Sequence, residues 1–293
     1  MDTRRLELLL ALSRLGSMRA VSEALGVTTS TVSQQIAALA REVGTPLLEP
    51  DGRRVRLTPA GQRLAAHAVH ILAAHEAARA DLDPSAEPAG TVRVAAFHTA
   101  IRVALLPVVH QLAVEYPAVR LEIQEQEPPQ AIALLERDQV DLVLSYDYNL
   151  APAAIDPAFE ATALWEAGWS LAVPSRRVSG PAVDVFAEFA TSDWIVNSRH
   201  TADEQVIRTI AALAGFEPRV TQRADSLELV LQMIIAGLGV ALLPAAYPKT
   251  AGISLRRLRD PEPRLRAHAL IRRGRGGWAP LALLLSLLSR HRR

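Results

Sequence analysis

The chain has 293 residues, 49% of them apolar and 22% charged, with a formal net charge of +1. That length suits two or three domains, and the composition excludes a disordered or fibrous protein. The sequence holds no cysteine, which excludes disulfides and thiolate metal sites and suits a reducing compartment; the expected location is the cytoplasm.

The opening MDTRRLELLLALSRLG is apolar but carries Glu7 and Arg14 and lacks a small-residue cleavage site, so it does not read as a signal peptide. Leu6, Leu9, Leu10 and Leu12 sit at helical spacing, and Gly16 and Ser17 end that helix. Arg19 to Leu25 predicts a second, short helix stopped by Gly26. Thr28 or Thr29 can cap a third, with Ser30 to Val43 as its body. Asp51 and Gly52 mark a tight hairpin between Leu47-Leu48 and Val55-Arg56-Leu57. Thr58 and Pro59 then open a long helix to about Leu82. Leu64, Ala65, Ala68, Ile71, Leu72 and His75 share one side of it, an apolar stripe that calls for a partner.

Pro84 to Gly90 reads as a linker. Beyond it the pattern alternates: strand TVRVAAF, a helix over 100–115, strand VRLEIQEQE, a helix over 130–137 and buried strand DLVLSYD. This order predicts a parallel sheet with helices on its faces. GWSLAV, DWIVN and GVALL are further strands, and helices over 203–214 and 226–236 complete a second α/β lobe. AHALIRR is a last strand, with a closing helix over 280–288. Leu229 to Ala246, the most membrane-like run, contains Gln232, Gly237, Gly239 and Pro244 and reads as a buried helix followed by a buried strand.

On the third helix Val32, Ile36, Leu39 and Val43 form an inward stripe, leaving Ser30, Ser33, Gln34, Ala37 and Arg41 outside. A small, polar outer face near a helix N-terminus can lie in the DNA major groove, where Gln34 can pair with adenine through two hydrogen bonds. Arg53, Arg54 and Arg56 follow the hairpin turn and can neutralise phosphates or enter the minor groove. The segment from Gly16 to Gly61, with turn, outward-facing helix, wing and TPAG, resembles the N-terminal domain of LysR-type transcriptional regulators. The resemblance implies a winged helix-turn-helix with base-reading positions at Thr29, Ser30, Ser33 and Gln34. From Thr91 onward the chain resembles the regulatory domain of the same family, most clearly in DSLELVLQMIIAGLGVALLP. That implies two α/β lobes like a periplasmic binding protein, with a ligand cleft between them.

The expected organisation is a DNA-binding domain over 1–60, a linker helix and hinge over 61–90, and an effector-binding domain over 91–293. Its lobe I covers about 91–161 and 265–293, and its lobe II about 162–264. Ligands of parallel sheets sit beyond the carboxyl ends of the strands. That selects Phe97, His98 and Thr99; Ser145, Tyr146 and Asp147; Asn197, Ser198 and His200; and Ser226 at a helix start. Helix N-termini favour anions, and Arg102 lies one turn inside the first helix. Together they point to an effector bearing a carboxylate.

No G-x-S-x-G, P-loop or glycine-rich dinucleotide fingerprint is present, and the scattered histidines lack a ligand pattern, so no enzyme, metal or cofactor is expected. A solute-binding protein would not explain residues 1–60, and an architectural DNA-binding protein would not explain the two-lobed half. The expected partners are double-stranded DNA, a small effector and a second copy of the chain through the linker helix. The family resemblance adds pairing of dimers into tetramers, and no membrane partner is expected.

Overall fold

Three helices open the chain, each started by a side-chain cap and stopped by a glycine. α1 (Thr3–Leu15) begins where the Asp2 carboxylate accepts from the Arg4 amide at 2.9 Å, and α2 (Met18–Leu25) begins on Ser17. α3 (Thr29–Val43) begins on Thr28, whose hydroxyl accepts from the Thr31 amide at 3.1 Å. Gly16, Gly26 and Gly44 end the three helices in the left-handed conformation. Leu6, Leu9, Leu12, Val21, Val32, Ile36 and Leu39 meet in one small core. The computed structural model describes residues 1–51, 54–82, 87–174, 182–198 and 202–290.

β1 (Leu48–Asp51) and β2 (Arg54–Leu57) pair antiparallel, Leu48 opposite Leu57, to form the wing. α4 (Pro59–Leu82) follows, started by the Thr58 hydroxyl, which accepts from the Gly61 amide at 3.0 Å and donates to the Pro46 carbonyl at 2.7 Å. Gly61 is required there, because a Cβ would stand 2.3 Å from the Leu47 carbonyl oxygen. The apolar stripe of α4 is partly covered within the chain. Ala65 and Ala68 are buried in the core of the first three helices, and Leu64, Ile71 and Leu72 pack half-buried against it. His75 is exposed.

The second half is built on a strand shared by two lobes. In lobe I, β3 (Gly90–Ala96) lies parallel between β4 (Val119–Glu125) and β5 (Leu142–Tyr148). β11 (Arg264–Arg272) runs antiparallel to β5, and β6 (Phe159–Pro174) runs antiparallel to β11. β6 is 16 residues long. It pairs with β11 from Phe159 to Gly168, then continues into lobe II to pair with β9 (Ala241–Pro244) and β10 (Ile253–Arg257) from Trp169 to Pro174. The strand therefore runs through the expected lobe boundary at 161/162, and its pairing changes sheets after Gly168. β7 (Asp193–Asn197) and β8 (Arg219–Ala224) form a parallel pair joined to Val240 by a bridge at Trp194.

Helices cover these sheets. One helical run over 98–115 comprises α5 (His98–Ala100), a π-turn over Ile101–Leu105 and α6 (Leu106–Glu115). α7 (Pro128–Glu136) and α11 (Ala279–Arg290) complete lobe I; α8 (Ala182–Ala187), α9 (Ala202–Leu213) and α10 (Leu227–Ile235) belong to lobe II. No helix among the described residues is long and apolar enough to cross a membrane.

The two halves of the chain touch at a buried ion cluster. Asp141, 3% exposed, accepts from the Arg93 amide and Nε at 3.0 Å, from Arg93 Nη2 at 2.9 Å and from Arg275 Nη2 at 2.9 Å. Burial opposes its charge, but the hydrogen bonds and charge of Arg93, with Arg275 beside it, hold the carboxyl below the usual carboxylate range. Arg14 of α1 joins the cluster through Asp138, its Nη2 donating at 3.0 Å. Removing the central acceptor strands buried guanidinium groups, a loss of about 3–5 kcal/mol when one partner of a buried pair is deleted. Asp141→Ala should lower the stability of the second half by that amount in denaturant titration. A change under about 0.5 kcal/mol, typical of an exposed surface site, would mean that the cluster is not a structural centre.

Candidate functional site

The outward face of α3 is as polar as its sequence suggests. Thr29, Ser30, Ser33 and Gln34 are all exposed, whereas Val32, Ile36 and Leu39 on the opposite face are fully buried. Gln34 Nε2 lies 3.5 Å from Ser30 Oγ, a contact weak enough to exchange for a base edge. On the wing, Arg56 is 67% exposed and its Nε lies 2.8 Å from Glu49 across the hairpin. An exposed pair of this kind is worth about 0–1 kcal/mol, so phosphate can displace Glu49. Arg53 and the Arg54 side chain lie outside the described residues.

A cavity of about 510 Å³ lies where β6 passes from one lobe to the other. Phe97, His98, Thr99 and Arg102 enter it from the end of β3 and the following helical run, and Tyr146 enters from β5. Asn197 and Ser198 close it from the end of β7. His200 lies outside the described residues. Three selected residues do not belong to the cavity. Strand alternation turns Ser145 and Asp147 to the opposite face of β5, where they line a smaller hollow of about 190 Å³. There Asp147 accepts from Arg266 Nε and Nη2 at 2.8 Å each and from the Ala153 amide at 3.0 Å. Burial opposes its charge, and these donors hold its carboxyl below the usual range. Ser226 is exposed; its hydroxyl accepts from the Leu229 amide at 3.3 Å and caps α10.

The chemistry of the cavity lies largely in residues that the sequence did not single out. Tyr148 donates to Asp203 Oδ1 at 2.7 Å, and Tyr146 donates to the other oxygen of Asp203. The first turn of α9 carries Asp203, so its charge also meets the positive end of that helix. Tyr146 Oη lies 3.1 Å from Glu127 Oε2, so one hydroxyl hydrogen faces two carboxyl groups. Glu127 ends the β4 loop at the start of α7. Burial first, and then the negative charge of Asp203, push its pKa up to about 7. Phe97, Tyr146, Tyr148 and Trp169 form a chain of edge-on rings, with centroid separations of 4.7, 6.3 and 5.5 Å. Trp165 and Tyr247 add aromatic wall.

The described lining is richer in acids than the expectation of a carboxylate-bearing effector assumed. Among the described residues, Glu127, Glu166, Asp203 and Asp225 line the cavity, against Arg102 as the one guanidinium. A further carboxylate about 4 Å from an ionised one would meet about 4 kcal/mol of repulsion at an effective dielectric constant of about 20. The helical run over 98–115 that suggested an anion site starts at Phe97 with no side-chain cap.

The raised Glu127 pKa carries a stability consequence. The folded chain holds this proton more tightly than the unfolded chain, so the contribution is complete below pH 4.5, declines as pH rises towards about 7, and is gone above it. Relative to Glu127→Gln, the wild-type chain should lose thermal stability across that window and run parallel outside it. Melting curves at closely spaced pH values would show this, and a difference that does not vary with pH would place Glu127 in an ordinary solvated environment.

Two family models match the chain: the bacterial regulatory helix-turn-helix protein of the lysR family over residues 3–62, and the LysR substrate binding domain over residues 85–293. Among curated relatives, a probable hydrogen peroxide-inducible genes activator of Mycobacterium avium is 30% identical over 267 residues, 86% of this chain and 82% of that one. The transcriptional dual regulator GltC of Bacillus subtilis is 24% identical over 217 residues, 73% and 71% of the two chains. In fold, the chain is similar to a full-length OxyR variant of Pseudomonas aeruginosa, with TM-score 0.72 and 19% identity over 99% and 97% of the chains. It is also similar to CbnR, a LysR family transcriptional regulator, with TM-score 0.53 and 20% identity over 98% and 100%. These relatives are transcriptional regulators rather than enzymes. With both of its halves matched, this chain belongs to the LysR family of bacterial transcriptional regulators.

Proposed function

We propose that this regulator reads DNA through Thr29, Ser30, Ser33 and Gln34 of α3, grips phosphates with the wing arginines Arg53, Arg54 and Arg56, and is controlled in the cytoplasm by a small molecule in the inter-lobe cavity. The observation that carries the DNA reading is the exposed polar row on α3, backed by a fully apolar buried row. The domain limits follow the same division: a DNA-binding unit over 1–60, α4 with its hinge to 90, and the two-lobed unit thereafter. Phe97, His98, Thr99, Arg102, Tyr146, Asn197 and Ser198 contact the effector. The chain has no cysteine, so a thiol-based response to peroxide is not open to it, whatever its relatives sense.

Base-reading and phosphate-binding residues separate in a fluorescence-anisotropy titration against operator variants and random duplex. Gln34→Ala should relax preference at one position per half-site, at a cost of about 1–3 kcal/mol for the preferred base. Arg56→Ala should weaken specific and random DNA by similar factors and lower the salt slope by about one. An unchanged ranking of operator variants would remove Gln34 from the reading set, and a loss confined to the operator would make Arg56 a base contact.

Two half-sites related by two-fold symmetry need two reading heads. α4 supplies the dimer contact: α1 covers part of its stripe, and the half-buried Ile71 and Leu72 keep apolar surface for a second copy. Such dimers pair again into a tetramer through the regulatory domains. The Ile71→Glu, Leu72→Glu double variant should sediment as a smaller species and lose tight operator binding while its helix content by circular dichroism is kept. Retention of the native mass would move the dimer contact elsewhere.

A further inference from the structure

We propose that the effector of the inter-lobe cavity is a small organic cation, a protonated amine whose ammonium group sits among Glu127, Asp203 and Asp225 while its carbon frame lies against Phe97, Tyr146 and Trp165. The inference rests on the cavity being the effector site, and three independent features support it. The first is charge: the described lining carries four carboxyl groups against one guanidinium, and that guanidinium, Arg102, is exposed. The second is the wall. Aromatic faces carry negative quadrupole charge and attract ammonium groups, and Phe97, Tyr146 and Trp169 are each at most 7% exposed within a cavity of about 510 Å³, sized for a small molecule.

The third is an unmet acceptor. Asn197 lines the cavity at 7% exposed, and its Nδ2 donates to the Leu242 carbonyl at 3.1 Å. That bond fixes the amide and leaves Oδ1 buried without a hydrogen-bond partner. An acceptor left bare in a protein interior is costly, and an N–H or O–H donor brought against it relieves it. The acid-rich lining and the aromatic wall favour positive charge, and the bare Asn197 acceptor favours a ligand that donates hydrogen bonds.

Binding should be coupled to the proton on Glu127. The groups facing Glu127 are Tyr146 from β5, Ser198 after β7, Asp203 of α9 and Asp225 ahead of α10. Two of them are acids, so Glu127 keeps its proton to about pH 7 in the empty cavity. An amine ligand, charged throughout this range, favours the ionised form and expels that proton. Its affinity should rise about tenfold between pH 6 and pH 8, whereas a carboxylate ligand should show the opposite trend.

The test compares matched probes on the full-length protein by thermal shift and calorimetry: phenethylamine and putrescine as cations, 3-phenylpropanoate and succinate as their anionic counterparts. At least one amine is expected to raise the melting temperature, while neither anion does. Glu127→Gln with Asp225→Asn should weaken amine binding at least tenfold. Stabilisation by an anion and not by an amine would overturn the cation and leave the cavity reading standing. No response to either amine would also overturn the cation. An amine that binds undiminished to the double variant and to a cavity-filling Thr99→Trp variant binds elsewhere, and would overturn both the cation and the cavity as its site.

Discussion

One strand holds the regulatory half together. β6 is hydrogen-bonded to β11 as far as Gly168 and to β9 and β10 from Trp169 onward, so the two sheets share a backbone rather than merely touching. β6 changes pairing partners after Gly168. The cavity forms there, and Trp165, Glu166, Ala167, Gly168 and Trp169 all line it. The ends of β3, β5 and β7 converge on the same place because parallel strands deliver their following loops to one edge. Position, lining and access of the cavity all depend on this change of partner.

Hydrogen bonds across the opening then set the relation of the lobes. Tyr146 and Tyr148, two residues apart on one face of β5, reach over to Asp203 at the start of α9. Two hydroxyl donors and a helix terminus make a buried carboxylate tolerable in a place lined by aromatic rings. Glu127 competes for one of those donors, so the local proton inventory, and not apolar burial alone, decides how the faces of the cavity meet.

Much of this is legible in the sequence, and the rest is hidden for definite reasons. The caps at Thr28 and Thr58 and the periodicity of α3 are local signals, and local structure follows them; Ser17, legible only as a helix end, also caps α2. Phe97, Thr99, Tyr146 and Asn197 can be chosen because strand ends are readable. The first half of β6 escapes a sequence reading because FEATALWE is rich in helix formers, and only pairing with β11 makes it a strand. β8 and β10 are short and rich in arginine, and they gain their identity from neighbours distant in sequence. Ser145 and Asp147 enter the expected site by proximity to Tyr146, although an alternating strand turns them away. Glu127 and Asp203 carry no motif; their meeting is a property of the tertiary fold. The one local hint is acids standing at the starts of helices, close to the readable strand ends.

The contacts between the DNA-binding half and the regulatory half carry a mechanical consequence. Arg14 of α1 meets Asp138 and Asp141, and His70 of α4 lies close against Gly274, whose left-handed backbone has no room there for a Cβ. All three regulatory residues belong to lobe I. These contacts mount the reading head on lobe I. Closure of lobe II alone would leave the head of the same chain where it stands. Under the proposed function, a signal that begins in the cavity must reach DNA by rotating lobe I with its head attached, or by presenting a changed lobe II to a neighbouring copy. Any part that shifts without lobe I shifts without the load that lobe I carries.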